Sequence, residues 1–192
     1  MADSNKIKFG LSRCYYAVAT ISTAGSAAYS TPVALPGAVS LSLSAEGDTS
    51  PFYADNVVYF TSVANNGYSG DLELAKVPDS FLTDCMGYIA DANDVLLEDA
   101  GAVPSPFALL FQFEGDKNAK RSVLYNCVAT RPEVSGSTKA ETIEPQTETI
   151  SIVAASVYNA VLDKDIVKAS CTETESTAYN SWLTAVYQTT ST

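Results

Sequence analysis

Histidine is absent from the 192 residues, and with it go the usual general base of hydrolytic triads, the commonest ligand of zinc and haem, and the usual switch that titrates near neutrality. Positive charge is scarce: 11 Lys and Arg stand against 22 Asp and Glu, a formal net charge of −11. No surface can then gather the cationic excess that neutralises phosphates, so tight, specific DNA or RNA recognition is excluded. Long apolar runs are missing too. No stretch approaches the ~20 apolar residues that cross a bilayer as a helix, and Met1 to Lys8 lacks the apolar core of a signal peptide. The expectation is a chain made in a reducing, intracellular setting, with no membrane insertion. Cys14, Cys85, Cys127 and Cys171 lie far apart with no C-x-x-C spacing for a zinc site or a dithiol centre. Four buried free thiols are expected instead.

What is present is an apolar fraction of 46% with 17% charged residues, enough for one well-buried domain over 1–192 and too much for a long disordered chain. Alternation with period two dominates, the mark of half-buried strands. Val39, Leu41 and Leu43 interleave with Ser40, Ser42 and Ser44, and Leu72 and Leu74 with Asp71 and Glu73. Ile150 and Ile152 interleave with Thr149 and Ser151, and Val123, Tyr125 and Cys127 with Leu124, Asn126 and Val128. Each pattern gives a strand with one apolar face and one polar or mixed face. The runs 57–61 and 107–113, dense in β-branched and aromatic residues, predict strands covered on both sides.

Asn65-Asn66-Gly67 predicts a hairpin with a type I′ turn, because Asn-Gly readily takes positive φ, and Glu114 to Asn118 predicts the next turn. Pro78 and Asp79 suit a helix start, after which Phe81, Leu82, Cys85, Met86 and Ile89 fall on one face. Tyr179, Trp182, Leu183, Val186 and Tyr187 recur at helical spacing, predicting a C-terminal helix over about 175–187 with Glu173 and Glu175 near its positive end. The segments 1–12, 45–56 and 132–145 read as neither strand nor helix. The middle one is too long for a hairpin turn and carries Phe52 and Tyr53 side by side. Either those rings meet an ordered partner surface or they fold back on their own sheet.

The sequence carries only incomplete versions of motifs for chemistry. Gly136-Ser137-Thr138-Lys139 has the wrong order for a phosphate loop. Asp91-Ala92-Asn93-Asp94 begins like a calcium loop, yet Leu96 and Ala102 stand where the turn glycine and the bidentate glutamate belong, so a solvated turn is expected. Gly67-Tyr68-Ser69-Gly70 is no nucleophile elbow. Glu141 with Glu144, or Asp71 with Glu73, could pair as acid and base, but Asp71 and Glu73 occupy plain alternating strand positions. No catalytic residue, metal or cofactor is expected, and the chain is read as a non-enzyme.

The run Pro36-Gly37-Ala38-Val39-Ser40-Leu41, then Glu46-Gly47-Asp48, Pro51-Phe52-Tyr53-Ala54-Asp55-Asn56, Asn66-Gly67-Tyr68-Ser69-Gly70 and Leu72-Glu73-Leu74-Ala75, resembles the major tail protein family of long, non-contractile-tailed bacteriophages. Phe107 to Phe111, Val123 to Cys127, Glu144 to Thr149 and Tyr179 to Trp182 resemble that family's later blocks in the same order. The resemblance implies two packed β-sheets with a flanking helix, in hexameric rings whose inner sheets join into a continuous β-barrel. Such rings stack into the tail tube that conducts DNA. It implies a virion protein assembled in the bacterial host cytoplasm, with further copies of itself, the tape measure protein, the tail terminator and the distal tail protein as partners. DNA passes transiently and without specificity, which an acidic wall suits because it does not hold phosphates.

Within that reading the segment 45–56 reaches the next ring through Glu46, Asp48, Phe52, Tyr53 and Asp55. Alternation puts Ser40, Ser42, Ser44, Asp71, Glu73, Thr147, Thr149 and Ser151 on one polar sheet side, the expected lumen wall; an outer surface is the alternative for Asp71 and Glu73. Competing readings are a secreted or surface β-sandwich that binds a ligand through Tyr15, Tyr16 and Trp182, a carboxylate-dependent hydrolase, and a tail-terminator or tube-initiation relative.

Overall fold

The computed structural model describes residues 5–138 and 145–189. The chain opens with β1 (Lys8–Ile21), passes through β2 (Ala27–Tyr29) and β3 (Val33–Ala34) into β4 (Ala38–Glu46), and leaves the sheet as the hairpin β5 (Thr49–Ala54) and β6 (Val57–Val63). It returns as β7 (Gly67–Leu74), continues through α1 (Asp79–Met86) and the small hairpin β8 (Ile89–Ala90) and β9 (Leu96–Leu97), then lays down β10 (Phe107–Gly115), β11 (Lys120–Ala129) and β12 (Glu148–Ala155). The short strands β13 (Val157–Asn159), β14 (Lys164–Ile166) and β15 (Lys168–Cys171) precede α2 (Thr177–Ser181). The fold is mainly β with two short helices, and every strand pairing described is antiparallel.

The principal sheet runs β2-β1-β10-β11-β12-β7-β4, with β3 added to β1 and β15 to β11. The layers that alternation calls for are two halves of this one sheet, folded over a common core. Leu72, Leu74, Ile150 and Ile152 from β7 and β12 meet Tyr16, Phe107, Leu109 and Leu124 from β1, β10 and β11. The fold-over occurs at β11, whose Arg121–Leu124 part pairs with β15 and whose Asn126–Ala129 part pairs with β12. A register shift against β10 lies in between, and such a bulge bends and twists the strand. It also breaks the expected alternation: Val123 and Tyr125 face one way, but Cys127 joins Leu124 in the core on the other face. A second shift, between Ala38 and Ser40, turns Val39 outward, although Leu41 and Leu43 point inward as expected.

The run 107–113 is covered on both sides, as its composition predicts. Phe107, Leu109 and Phe111 line the first core, while Ala108 and Leu110 line a second with Tyr125 and Trp182. α1 plugs the first core through Phe81, which stands edge-on to Tyr16 at 5.0 Å and to Phe107 at 5.2 Å. The helix starts after Pro78 and stops at Gly87, whose φ of 75 is a left-handed cap. Ile89 therefore leaves the predicted helical face and lies exposed on β8.

The C-terminal helix is shorter than its spacing predicts. Only Thr177–Ser181 is helical, capped by Ser176, whose Oγ accepts from the Tyr179 N–H at 3.1 Å. The hydroxyls of Ser181 and Thr184 donate to the carbonyls of Thr177 and Ser181, a competition that favours turns over continued helix. The apolar residues still pack: Trp182 is buried on the second core and stacks on Tyr187 at 5.3 Å. Arg121, buried with no carboxylate partner among the described residues, ties this end down by donating to the Gln112 side chain and the Tyr179 carbonyl. The N-terminal arm expected over 1–12 is a strand from Lys8, and Asn5 clamps the β10–β11 turn by accepting from the Asn118 N–H at 2.9 Å and donating to its carbonyl. Residues 132–138 belong to no element.

Candidate functional site: a polar sheet face and a bare hairpin

Antiparallel register on β12, β7 and β4 lines up side chains in rows across the strands. Thr149, Glu73 and Ser40 form one row, and Ser151, Asp71 and Ser42 the next. Because successive residues alternate across a strand, these rows lie on the face opposite Leu41, Leu43, Leu72, Leu74, Ile150 and Ile152. Ser44 continues the face beside Ser69, whose hydroxyl donates to Glu46. Thr147, just before β12, donates to Glu73 Oε1 at 2.6 Å. All eight positions expected on one polar side are thus brought together.

The rows are wired internally. Ser40 donates to Glu73 Oε2 at 2.8 Å, and Ser151 donates to Asp71 Oδ1 at 2.7 Å. The Thr147 and Ser40 hydroxyls hold the Glu73 carboxyl below its ordinary 4.5. A general acid needs the opposite, a carboxyl kept protonated by its surroundings, so Glu73 is poorly placed as the acid of a glycosidase pair. What the face offers is a largely exposed array of hydroxyls and carboxylates. Glu141, Glu144 and Lys139 lie outside the described residues.

The second feature corrects the sequence reading. The segment 45–56 is no irregular loop: β4 runs on to Glu46, and Thr49–Ala54 pairs with Val57–Val63. The tight turn is Asp55-Asn56, with φ of 53 and 62, the two positive values a type I′ turn requires. Asn65-Asn66-Gly67, expected to make that turn between paired strands, instead returns the chain from the hairpin to the sheet. The Asn66 N–H donates to the Glu46 carbonyl at 2.9 Å, and a Cβ on Gly67 would stand 1.9 Å from the Ala154 carbonyl oxygen.

The run 57–61, expected to be covered on both sides, is bare. Tyr59 is 74% exposed and Phe60 62%, beside Phe52 at 61% and Tyr53 at 62%. The two rings therefore do not fold back on their own sheet. Of the other candidate contact residues, Glu46 sits at the hairpin's base, Asp48 beside it with its carbonyl accepting from the Ala64 N–H, and Asp55 at the tip. An apolar run without alternation reads the same whether it is covered by its own chain or by another. Composition alone therefore does not mark Val57, Val58, Tyr59 and Phe60 as surface.

Elsewhere, the Asp91 carboxyl accepts from the N–H groups of Asn93 and Val95, both at 2.8 Å, closing the solvated β8–β9 turn. All four thiols are free; Cys14, Cys85 and Cys127 are buried, whereas Cys171 is half-buried. Among the described residues no three Cys, Asp or Glu side chains are grouped to hold a metal ion, and no helix is long and apolar enough to cross a membrane. Comparison with protein-family models, with curated proteins and with solved structures finds no match.

Proposed function

We propose that this chain is a structural subunit that assembles with copies of itself into hexameric rings stacked as a tube, the tail-tube protein of a phage with a long, non-contractile tail. The observation that carries the reading is the β5–β6 hairpin with Phe52, Tyr53, Val57, Val58, Tyr59 and Phe60 all exposed. A lone two-stranded hairpin is marginal in water, and a contiguous apolar surface of this kind marks a docking element. Two further features support it. Among the described residues β4 pairs with β7 alone and ends the principal sheet, an edge suited to pairing with a neighbouring subunit, and edge-to-edge closure around a ring is how inner sheets become one continuous barrel. The hydroxyl and carboxylate rows on β4, β7 and β12 make a suitable lumen wall, since they hold water and repel phosphate. The tape measure, tail terminator and distal tail proteins, and a place in the virion, follow from this role.

The ligand-binding alternative loses most of its aromatic platform, because Tyr16 and Trp182 are buried in the two cores and Tyr15 is half-buried against the second. Electron microscopy of the purified chain at neutral pH, with light scattering after size exclusion, tests the proposal. Rings or tubes without added ligand are expected; a monomer at every concentration would overturn it.

A further inference from the structure

Three lysines meet at one open end of the folded-over sheet. Lys8, Lys120 and Lys168 rim a cavity of about 210 Å³ whose walls include Phe111, Phe113 and Tyr68. Lys8 Nζ lies 4.4 Å from the Phe113 ring centre, and Lys168 Nζ lies 4.7 Å from that of Tyr68 and donates to its hydroxyl at 3.2 Å. Among the described residues none of the three forms an ion pair, in a chain with twice as many acids as bases. An apolar cavity under uncompensated ammonium groups suits a ligand with an apolar body and carboxylates.

The chain itself carries such a segment. No Lys or Arg occurs from Val77 to Asp116, and within that stretch the β8–β9 hairpin and its flanks present exposed Ile89, Val95 and Leu97 together with exposed Asp94 and Asp99. It lies at the other end of the sheet. β11 starts at Lys120 in the cavity rim and ends at Ala129, about 30 Å on at strand spacing, and just beyond it Arg131 pairs with Glu98. Two complementary surfaces at opposite ends cannot meet within one molecule, whereas a head-to-tail contact between copies would pair them and would repeat.

We propose that the β8–β9 hairpin of a second copy seats in the lysine-rimmed cavity and forms the charged half of the junction between stacked subunits. This deepens the tube reading and rests on it. The β5–β6 hairpin leaves the sheet at Glu46 and Gly67, beside cavity residue Tyr68, so at one junction it reaches forward while the next copy's β8–β9 hairpin reaches back.

The test compares four chains by sedimentation and electron microscopy: unmodified, Lys120→Glu with Lys168→Glu, Asp94→Lys with Asp99→Lys, and all four substitutions together, each checked for folding by circular dichroism. Each pair alone is expected to weaken association at least tenfold, the combined chain to recover most of it, and 1 M salt to weaken the unmodified contact. A photo-crosslinker at Leu97 of an otherwise unmodified chain should capture a second copy near Lys120 or Lys168, which decides the matter if the Asp94→Lys chain misfolds. Tubes that form equally well from either pair of variants would overturn this contact and leave the tube reading standing. Crosslinked head-to-tail oligomers without rings would support the contact and overturn the tube. No association of the unmodified chain at all would overturn both. Loss without recovery in a folded combined chain would point to the β5–β6 hairpin or a small anionic amphiphile as occupant, and against β8–β9.

Discussion

Two strand pairs in this chain are rich in aromatic and β-branched residues, and their fates are opposite. β10–β11 is sealed on both faces, by α1 and the β7–β12 half on one side and by Trp182 and the C-terminal turns on the other. Among the described residues nothing seals either face of β5–β6, which is exposed from Thr49 to Tyr53 and from Val57 to Val63. Composition is the same in kind; what differs is whether the chain supplies the cover. Sealing a strand pair is a statement about stability, and baring one is a statement about association. Measurements that separate stability from association therefore separate the two regions.

Alkaline pH attacks the sealed region most strongly. Burial pushes the thiols of Cys14, Cys85 and Cys127 from 9.0 up to about 12. A folded value above the unfolded one means that this contribution is complete below pH 9 and is lost as pH rises towards 12. At about 1.4 kcal/mol per pH unit, each thiol is worth up to about 4 kcal/mol across that window. Circular dichroism against pH should show cooperative unfolding that starts above pH 9, and a flat signal to pH 12 would contradict the sealed core.

Truncating one ring on each side gives the sharpest contrast. Phe81→Ala removes the ring between Tyr16 and Phe107 and should cost about 3–5 kcal/mol of unfolding free energy by denaturant titration. Phe52→Ala with Tyr53→Ala should change the dispersed chain by less than about 0.5 kcal/mol, yet stop assembly, since interface anchors of this kind typically contribute about 2 kcal/mol each. A double variant that fails to fold would erase the distinction.

The joint between the regions is intermediate. Gly67 has a φ of 100 and meets the Ala154 carbonyl where the hairpin rejoins the sheet. Gly67→Ala should cost about 2–3 kcal/mol through strain and displacement of β12, readable as a lowered melting temperature. The smallest effect concerns the polar face. Ser40→Ala with Thr147→Val removes both hydroxyl donors to Glu73, and its titration by NMR should move back up towards 4.5 with little change in stability.

Much of the fold is legible in the sequence. The alternation at Leu72 and Leu74 and at Ile150 and Ile152 places the inward faces of β7 and β12, and with them the polar rows opposite. What is not legible follows from non-local causes. The bulges in β4 and β11 shift parity by a residue, and nothing in the local composition marks them. The C-terminal spacing fits a full helix, but regular helix stops at Ser181; Trp182 caps it through its N–H to the Tyr179 carbonyl, and the residues beyond are placed by packing such as Tyr187 on Trp182. Asp55-Asn56 has the weaker turn propensity, yet it closes the hairpin that pairs Phe52 with Phe60, while Asn66-Gly67 returns the chain to the sheet. The lysine rim joins residues 8, 120 and 168, which only the folded sheet brings together.

The central claim is that the bare hairpin is an interface, and hydrogen exchange on residues 49–63 tests it most directly. Dispersed chain and assembled material are compared under the same buffer. The account expects these amides to exchange fast in the dispersed chain, where a two-stranded ladder opens readily, and to gain at least a hundredfold protection on assembly, while β10 and β11 stay protected in both. Equal protection of 49–63 in the two states would contradict it.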